Sequence, residues 1–135
     1  MAEIRYIGAF LTDKLESSLQ NSIEYQHVTF AYEPPETTLD YCSALYGQTV
    51  VFKCVGYGNN GINEGFKVEL IEASPEIKTL FSKIAVPHIT CGLSEIAEAV
   101  NTRFLNFLPI EPFLVSAVFG FVEYETETPC FTFAQ

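Results

Sequence analysis

The chain has 135 residues, a formal net charge of −10 and a pI of about 4.5. A single domain of that size buries about two-thirds of the surface its unfolded form exposes, and 48% hydrophobic residues, with 12 Phe and 7 Tyr, exclude general disorder. The acidic balance excludes a broad electrostatic grip on long duplex nucleic acid, but leaves room for a small anion held by the few basic residues, by backbone N–H groups, or by His and Thr.

In chain order, "RYIGAFL" (5–11) is aromatic and β-branched and predicts a buried strand. "TDKLESSLQNSI" (12–23) places Leu15, Leu19 and Ile23 at steps of four behind a Thr12 or Asp13 cap, and predicts a helix. "YQHVTFAY" (25–32) predicts a strand, stopped by Pro34 and Pro35. "TTLDYCSALYG" (37–47) is a short helix or a loop. "QTVVFKCVGYG" (48–58) and "FKVELIEA" (66–73) predict the arms of a hairpin around the turn chemistry of "NNGINEG" (59–65). "SPEIKTLFSKI" (74–84) opens with Ser74 as cap and Pro75 in the first turn of a helix. "PHITCGL" (87–93) predicts a strand, and "SEIAEAVNTRFLNF" (94–107) is a helix or a loop. Two strand-like runs, "PFLVSAVFGFVEYE" and "PCFTFAQ", close the chain.

This order of elements predicts one domain over residues 1–135, of α+β class, with helices flanking a mostly antiparallel sheet. The four cysteines, Cys42, Cys54, Cys91 and Cys130, lack C-x-x-C spacing, so neither a metal site nor a cofactor is expected. The first residues do not read as a secretory signal, and no run of 18 apolar residues exists. A reduced, cytoplasmic protein that does not span a membrane is expected.

The two histidines of the chain sit in matching contexts, "HVT" (27–29) and "HIT" (88–90), 61 residues apart or close to half the chain. That spacing suggests an internal duplication. On a strand, residues i and i+2 share a face, so His27 and Thr29 point one way, and so do His88 and Thr90. If two similar halves bring these strands together, two imidazoles and two hydroxyls line one groove. Such a set suits phosphodiester cleavage without a metal. A neutral imidazole takes a proton from the attacking oxygen, a protonated one gives a proton to the leaving oxygen, and the hydroxyls donate to the phosphate oxygens. Asp40, Glu64 and Glu69 show no triad spacing with either histidine.

The paired motifs resemble the 2H phosphoesterase superfamily, named for its two H-x-[ST] motifs. "YIGAFL", "HVTFAY", "GYGNNGINEGFKVEL" and "PHIT" are most similar to the cyclic phosphodiesterase modules of RNA repair proteins and tRNA ligases. Phage proteins that degrade cyclic oligonucleotide signals form another similar group. The resemblance implies a two-lobed fold with pseudo-symmetric halves around a central groove. It further implies metal-independent hydrolysis of a 2′,3′-cyclic phosphate or a cyclic oligonucleotide, with His27, Thr29, His88 and Thr90 as the catalytic set. The partner would be a small nucleotide or an RNA end. Which histidine is the base, and the oligomeric state, stay open.

Tyr32 is either an ordinary edge residue or a ring that binds substrate. Tyr6 and Phe10 are either core or a wall of the groove. Lys53 and Lys67, on the hairpin arms, are either solvated or a source of positive potential. Cys91 is expected to point away from the site by alternation. Two rivals keep the chain non-catalytic. One is a module of the same fold that binds and sequesters a nucleotide or RNA end. The other is an interaction protein using the edge "FGFVEYETETPCFTF".

Overall fold

The computed structural model describes residues 3–132. It holds seven strands: β1 (Ile4–Leu11), β2 (Asn21–Ser22), β3 (His27–Tyr32), β4 (Thr49–Asn59), β5 (Asn63–Glu72), β6 (His88–Leu93) and β7 (Leu108–Glu123). Two helices, α1 (Glu36–Cys42) and α2 (Pro75–Phe81), and a 3₁₀ helix (Ala99–Phe104) complete the regular structure. The sheet runs β6-β3-β1-β7-β4-β5, antiparallel at every step, and β5 pairs back onto β6. That last pairing closes a six-stranded barrel, with the two-residue β2 as an extra edge on β6.

The closed barrel corrects the expectation of an α+β, two-lobed fold with flanking helices. Strand occupies 46% of the chain and helix 15%, so there is too little helix to cover two open sheets. An apolar sheet face must be buried against something, and here the sheet closes on itself. Ile7, Ala9, Val28, Val50, Phe52, Ile89, Ala117 and Phe119 turn inward and are fully buried. Each large side chain among them stabilises the fold by about 2 kcal/mol. Phe30 packs its ring against Phe52, Phe81 and Phe119, and α1 and α2 add Cys42 and Ile77 to the same cluster.

The helix expected over residues 12–23 is absent, and the reason lies in where its donors go. The Leu15 amide donates to Gln26 Oε1 (2.6 Å), and Gln26 Nε2 donates back to the Leu15 carbonyl (2.8 Å). The Ser18 amide donates to Glu64 Oε1 (2.9 Å), as does the Ser17 hydroxyl (2.8 Å). Tyr57 also donates to Glu64, which is buried on β5. Burial pushes the Glu64 carboxyl up, but these hydrogen bonds outweigh it and hold the group below its ordinary value. The segment is therefore pinned as an irregular, non-helical stretch by a buried carboxylate and by Gln26. Serines that find local or tertiary partners compete with the helical ladder.

Other expectations match the structure. Ser74 accepts from the Ile77 amide at the start of α2, with Pro75 following. The β4–β5 hairpin forms, but its turn is only residues 60–62, closed by Asn59 and Asn60 side chains around Gly61 at φ +83°. Residues 94–107 resolve into a turn and the 3₁₀ helix. Of the run "PCFTFAQ", Cys130 makes a single bridge to Phe121, and residues 133–135 lie outside the described residues.

Candidate active site on the face shared by β3 and β6

Strands β3 and β6 are neighbours, paired through Val28 and Ile89. Both of these side chains are fully buried in the barrel. Alternation then turns His27, Thr29, His88 and Thr90 to the outer face together. Antiparallel register sets the residues flanking such a pair crosswise. His27 lies beside Thr90 and His88 beside Thr29, so each imidazole neighbours the hydroxyl of the other motif. The two imidazoles are diagonal neighbours on adjacent strands, roughly 7–8 Å apart and somewhat less at Cβ, and the charge of His88 acts on His27.

Each imidazole is held in the same way. His27 Nδ1 lies 2.8 Å from the Tyr25 carbonyl, and His88 Nδ1 lies 2.8 Å from the Val86 carbonyl. A carbonyl only accepts, so Nδ1 carries the proton in both rings. Nε2 is then the nitrogen that loses or gains one. Burial is the main cause that lowers both histidines below the ordinary value, and the carbonyl bonds oppose it. The charges of His88 and Arg5 lower His27 further, and Arg103 lowers His88.

The pairing pattern repeats on the two sides. Next to β3, Phe10 pairs with His27 and Gly8 with Thr29. Next to β6, Lys67 pairs with His88 and Gly65 with Thr90. The register shifts by one residue just after each H-x-T, opposite Gly8 in one case and Gly65 in the other. A Cβ at Gly8 would stand 2.8 Å from the Val28 carbonyl oxygen, and one at Gly65 would collide with that of Ile89. Neither position accepts a side chain without moving the motif strand.

The surroundings differ. On the β1 side, the His27 ring lies between Tyr6 (centroids 5.0 Å, stacked) and Phe10 (5.1 Å) over the space that Gly8 leaves open. Tyr6 and Phe10 thus flank the His27 ring, and Phe10 is itself buried. Arg5, at a register shift of β1, lies 5.3 Å from the centre of the Tyr6 ring. Tyr32 pairs with Tyr6 and is 63% exposed, so it stands at the rim and not against the histidines. On the β5 side, the 3₁₀ helix lays Thr102 over Gly65. Thr90 and Thr102 share a hydrogen bond between hydroxyls (2.8 Å), and buried Asn63 donates to Thr102 (3.1 Å). Thr90 is braced by this chain, whereas Thr29 is exposed. Phe131 meets Phe10 edge-on and, with Cys130, covers Gly120 of β7. The histidine face is therefore flanked by Tyr6 and Phe10 on one side and by Thr102 on the other.

Lys53 pairs with Glu69 at 3.8 Å, away from the histidines, while Lys67 neighbours His88. Cys91 is buried and faces away from the site. Among the described residues no group of three His, Cys, Asp or Glu side chains is placed to hold a metal ion, and no helix is long and apolar enough to cross a membrane. A separate surface cavity of about 580 Å³ is lined by Glu3, Glu33, Glu36 and Asp40, a setting that repels phosphate.

Sequence reasoning placed Arg5 and Arg103 only among the seven basic residues open to any anion site, and did not find Thr102 or the two glycines. The glycines had a signal: a Gly inside an apolar strand pattern marks a bulge or a close approach. The others depend on cross-strand register and on the path of residues 94–107. No protein-family model matches the chain, and no curated protein matches it in sequence.

Proposed function

We propose that this protein is a metal-independent phosphodiesterase that cleaves a cyclic or short nucleotide phosphodiester, either a 2′,3′-cyclic phosphate or a cyclic oligonucleotide. The observation that carries the reading is the matched pair His27 and His88, on adjacent strands, each with Nδ1 tied to a backbone carbonyl and Nε2 left for chemistry. One Nε2, unprotonated, takes the proton from the attacking oxygen. The other, protonated, delivers a proton to the leaving oxygen. Thr29 donates to the non-bridging oxygens as negative charge builds on them, and Thr90 does so once Thr102, which accepts from Asn63, turns its own hydroxyl to donate to Thr90. Acid, base and oxyanion donors are then all present in the protein, and no step calls for a metal. The resemblance to 2H phosphoesterases supports the same chemistry. Four unpaired thiols, three of them buried, fit a reducing compartment such as the cytoplasm.

Turnover of 2′,3′-cyclic nucleotides, 3′,5′-cyclic nucleotides, cyclic dinucleotides and a short RNA, followed by chromatography with EDTA present, tests the proposal. The wild type is expected to cleave at least one class, and a His27→Ala, His88→Ala variant none. Cleavage that EDTA abolishes contradicts the metal-free mechanism. Tight binding without cleavage would instead favour a module that sequesters its nucleotide.

A further inference from the structure

The two sides of the histidine face are chemically unlike. The chain carries seven Lys and Arg against 17 Asp and Glu, yet Arg5 and Arg103 act by charge on the two imidazoles and Lys67 is a cross-strand neighbour of one of them. Arg5 acts on His27 and lies over the Tyr6 ring. Lys67 is the cross-strand neighbour of His88 and is exposed on its face. Arg103, on the 3₁₀ helix, acts on His88 and is held against the Phe104 ring at 4.7 Å. None of the three is held in an ion pair among the described residues, although Glu127 as well as Arg5 acts on Tyr6 on the β1 side. Among the described residues, the one ion pair is Lys53 with Glu69. That pair occupies the carboxylate two residues beyond Lys67 on the same face.

We infer that the β5 side of the groove, built by Lys67 and Arg103, is a subsite for a second phosphate of the substrate, while the β1 side takes a base. The inference rests on the phosphodiesterase reading and narrows its substrate class. A bare nucleoside 2′,3′-cyclic phosphate, which has a single phosphate, uses the space between the imidazoles and leaves Lys67 and Arg103 without a partner. A substrate with a further phosphate one nucleoside away fills both. Lys67 sits about 5 Å from His88 at Cβ and extends on a flexible four-carbon stem, and Arg103 presents a planar fork suited to phosphate oxygens. On the other side, the exposed Tyr32 is the cross-strand neighbour of Tyr6 and offers an aromatic face to a base, while the Tyr6 ring, stacked on His27 with Arg5 beside it, holds that edge in place. The substrate is thus a phosphorylated nucleotide end or an oligonucleotide, linear or cyclic, bound in one direction across β3 and β6.

The test compares matched substrates: adenosine 2′,3′-cyclic phosphate with and without a 5′-phosphate, and the dinucleotide ApA with and without a 5′-phosphate. The kcat/KM of wild type is expected to favour the phosphorylated member of a pair by about 30-fold or more. In a Lys67→Gln, Arg103→Gln variant that ratio is expected to fall below about threefold. The ratio is read within one protein, so a general loss of activity does not mimic the effect. Equal turnover of both members by wild type overturns the subsite and leaves the phosphodiesterase reading standing. A preference that survives unchanged in the variant also overturns it, since the phosphate is then held elsewhere. Failure to turn over any of the four refutes the phosphodiesterase reading for this substrate class, and the subsite falls with it.

Discussion

At the scale of single residues, the account turns on two imidazoles that are alike in hydrogen bonding and unlike in surroundings. Both are lowered from the ordinary histidine value of 6.5, chiefly by burial. The base works only when neutral, so activity is lost as pH falls through its value. The acid works only when charged, so activity is lost as pH rises through its own. With both values lowered, the bell-shaped kcat/KM profile is predicted to peak below pH 6.5. Arg5 and Arg103 act on the pair by charge, and Arg5 lowers His27. Replacing Arg5→Gln is therefore expected to move one limb of the profile upward; a profile unmoved in both limbs counts against the assignment. At this scale the H-x-T sets were legible because i and i+2 share a strand face. Arg5, Thr102 and Arg103 were not, because their roles depend on which strands and loops come to lie side by side.

At the scale of elements, the motif strands owe their position to the paired register shifts opposite Gly8 and Gly65. A methyl group at residue 65 would meet both the Ile89 carbonyl and Thr102, the latter at 2.6 Å. Gly65→Ala is predicted to destabilise the fold by about 2 kcal/mol, read as a lower urea midpoint. It should also weaken turnover by displacing Thr90. A variant of unchanged midpoint would show that the strand yields without cost. The hairpin of β4 and β5 was legible from alternation flanking turn residues, and α2 from its Ser-Pro start. The segment 12–23 was misleading, because leucines at steps of four also serve an irregular, non-helical chain. Its polar groups are satisfied by Gln26 and Glu64, remote in sequence and invisible to local periodicity.

At the scale of the whole molecule, closure of the barrel is what makes the site. β6 pairs with β3 on one side and with β5 on the other, so the two H-x-T strands become neighbours in one continuous sheet. The expected fold placed them in separate lobes facing across a groove. Hydrophobic patterning marked the strands but not their closure, which depends on pairings between distant segments and on a shortage of helix to cover an open sheet.

The most direct test of the central claim, that His27 and His88 act as one unit on one phosphodiester, is a double-mutant cycle on kcat. The substrate would be one that wild type cleaves, with His27→Ala, His88→Ala and the double variant measured beside it. If the two imidazoles supply base and acid to the same transition state, each single variant loses about 10²–10⁴-fold, and the double variant loses little more than either. Losses that multiply, or a single variant that keeps wild-type turnover, would contradict it.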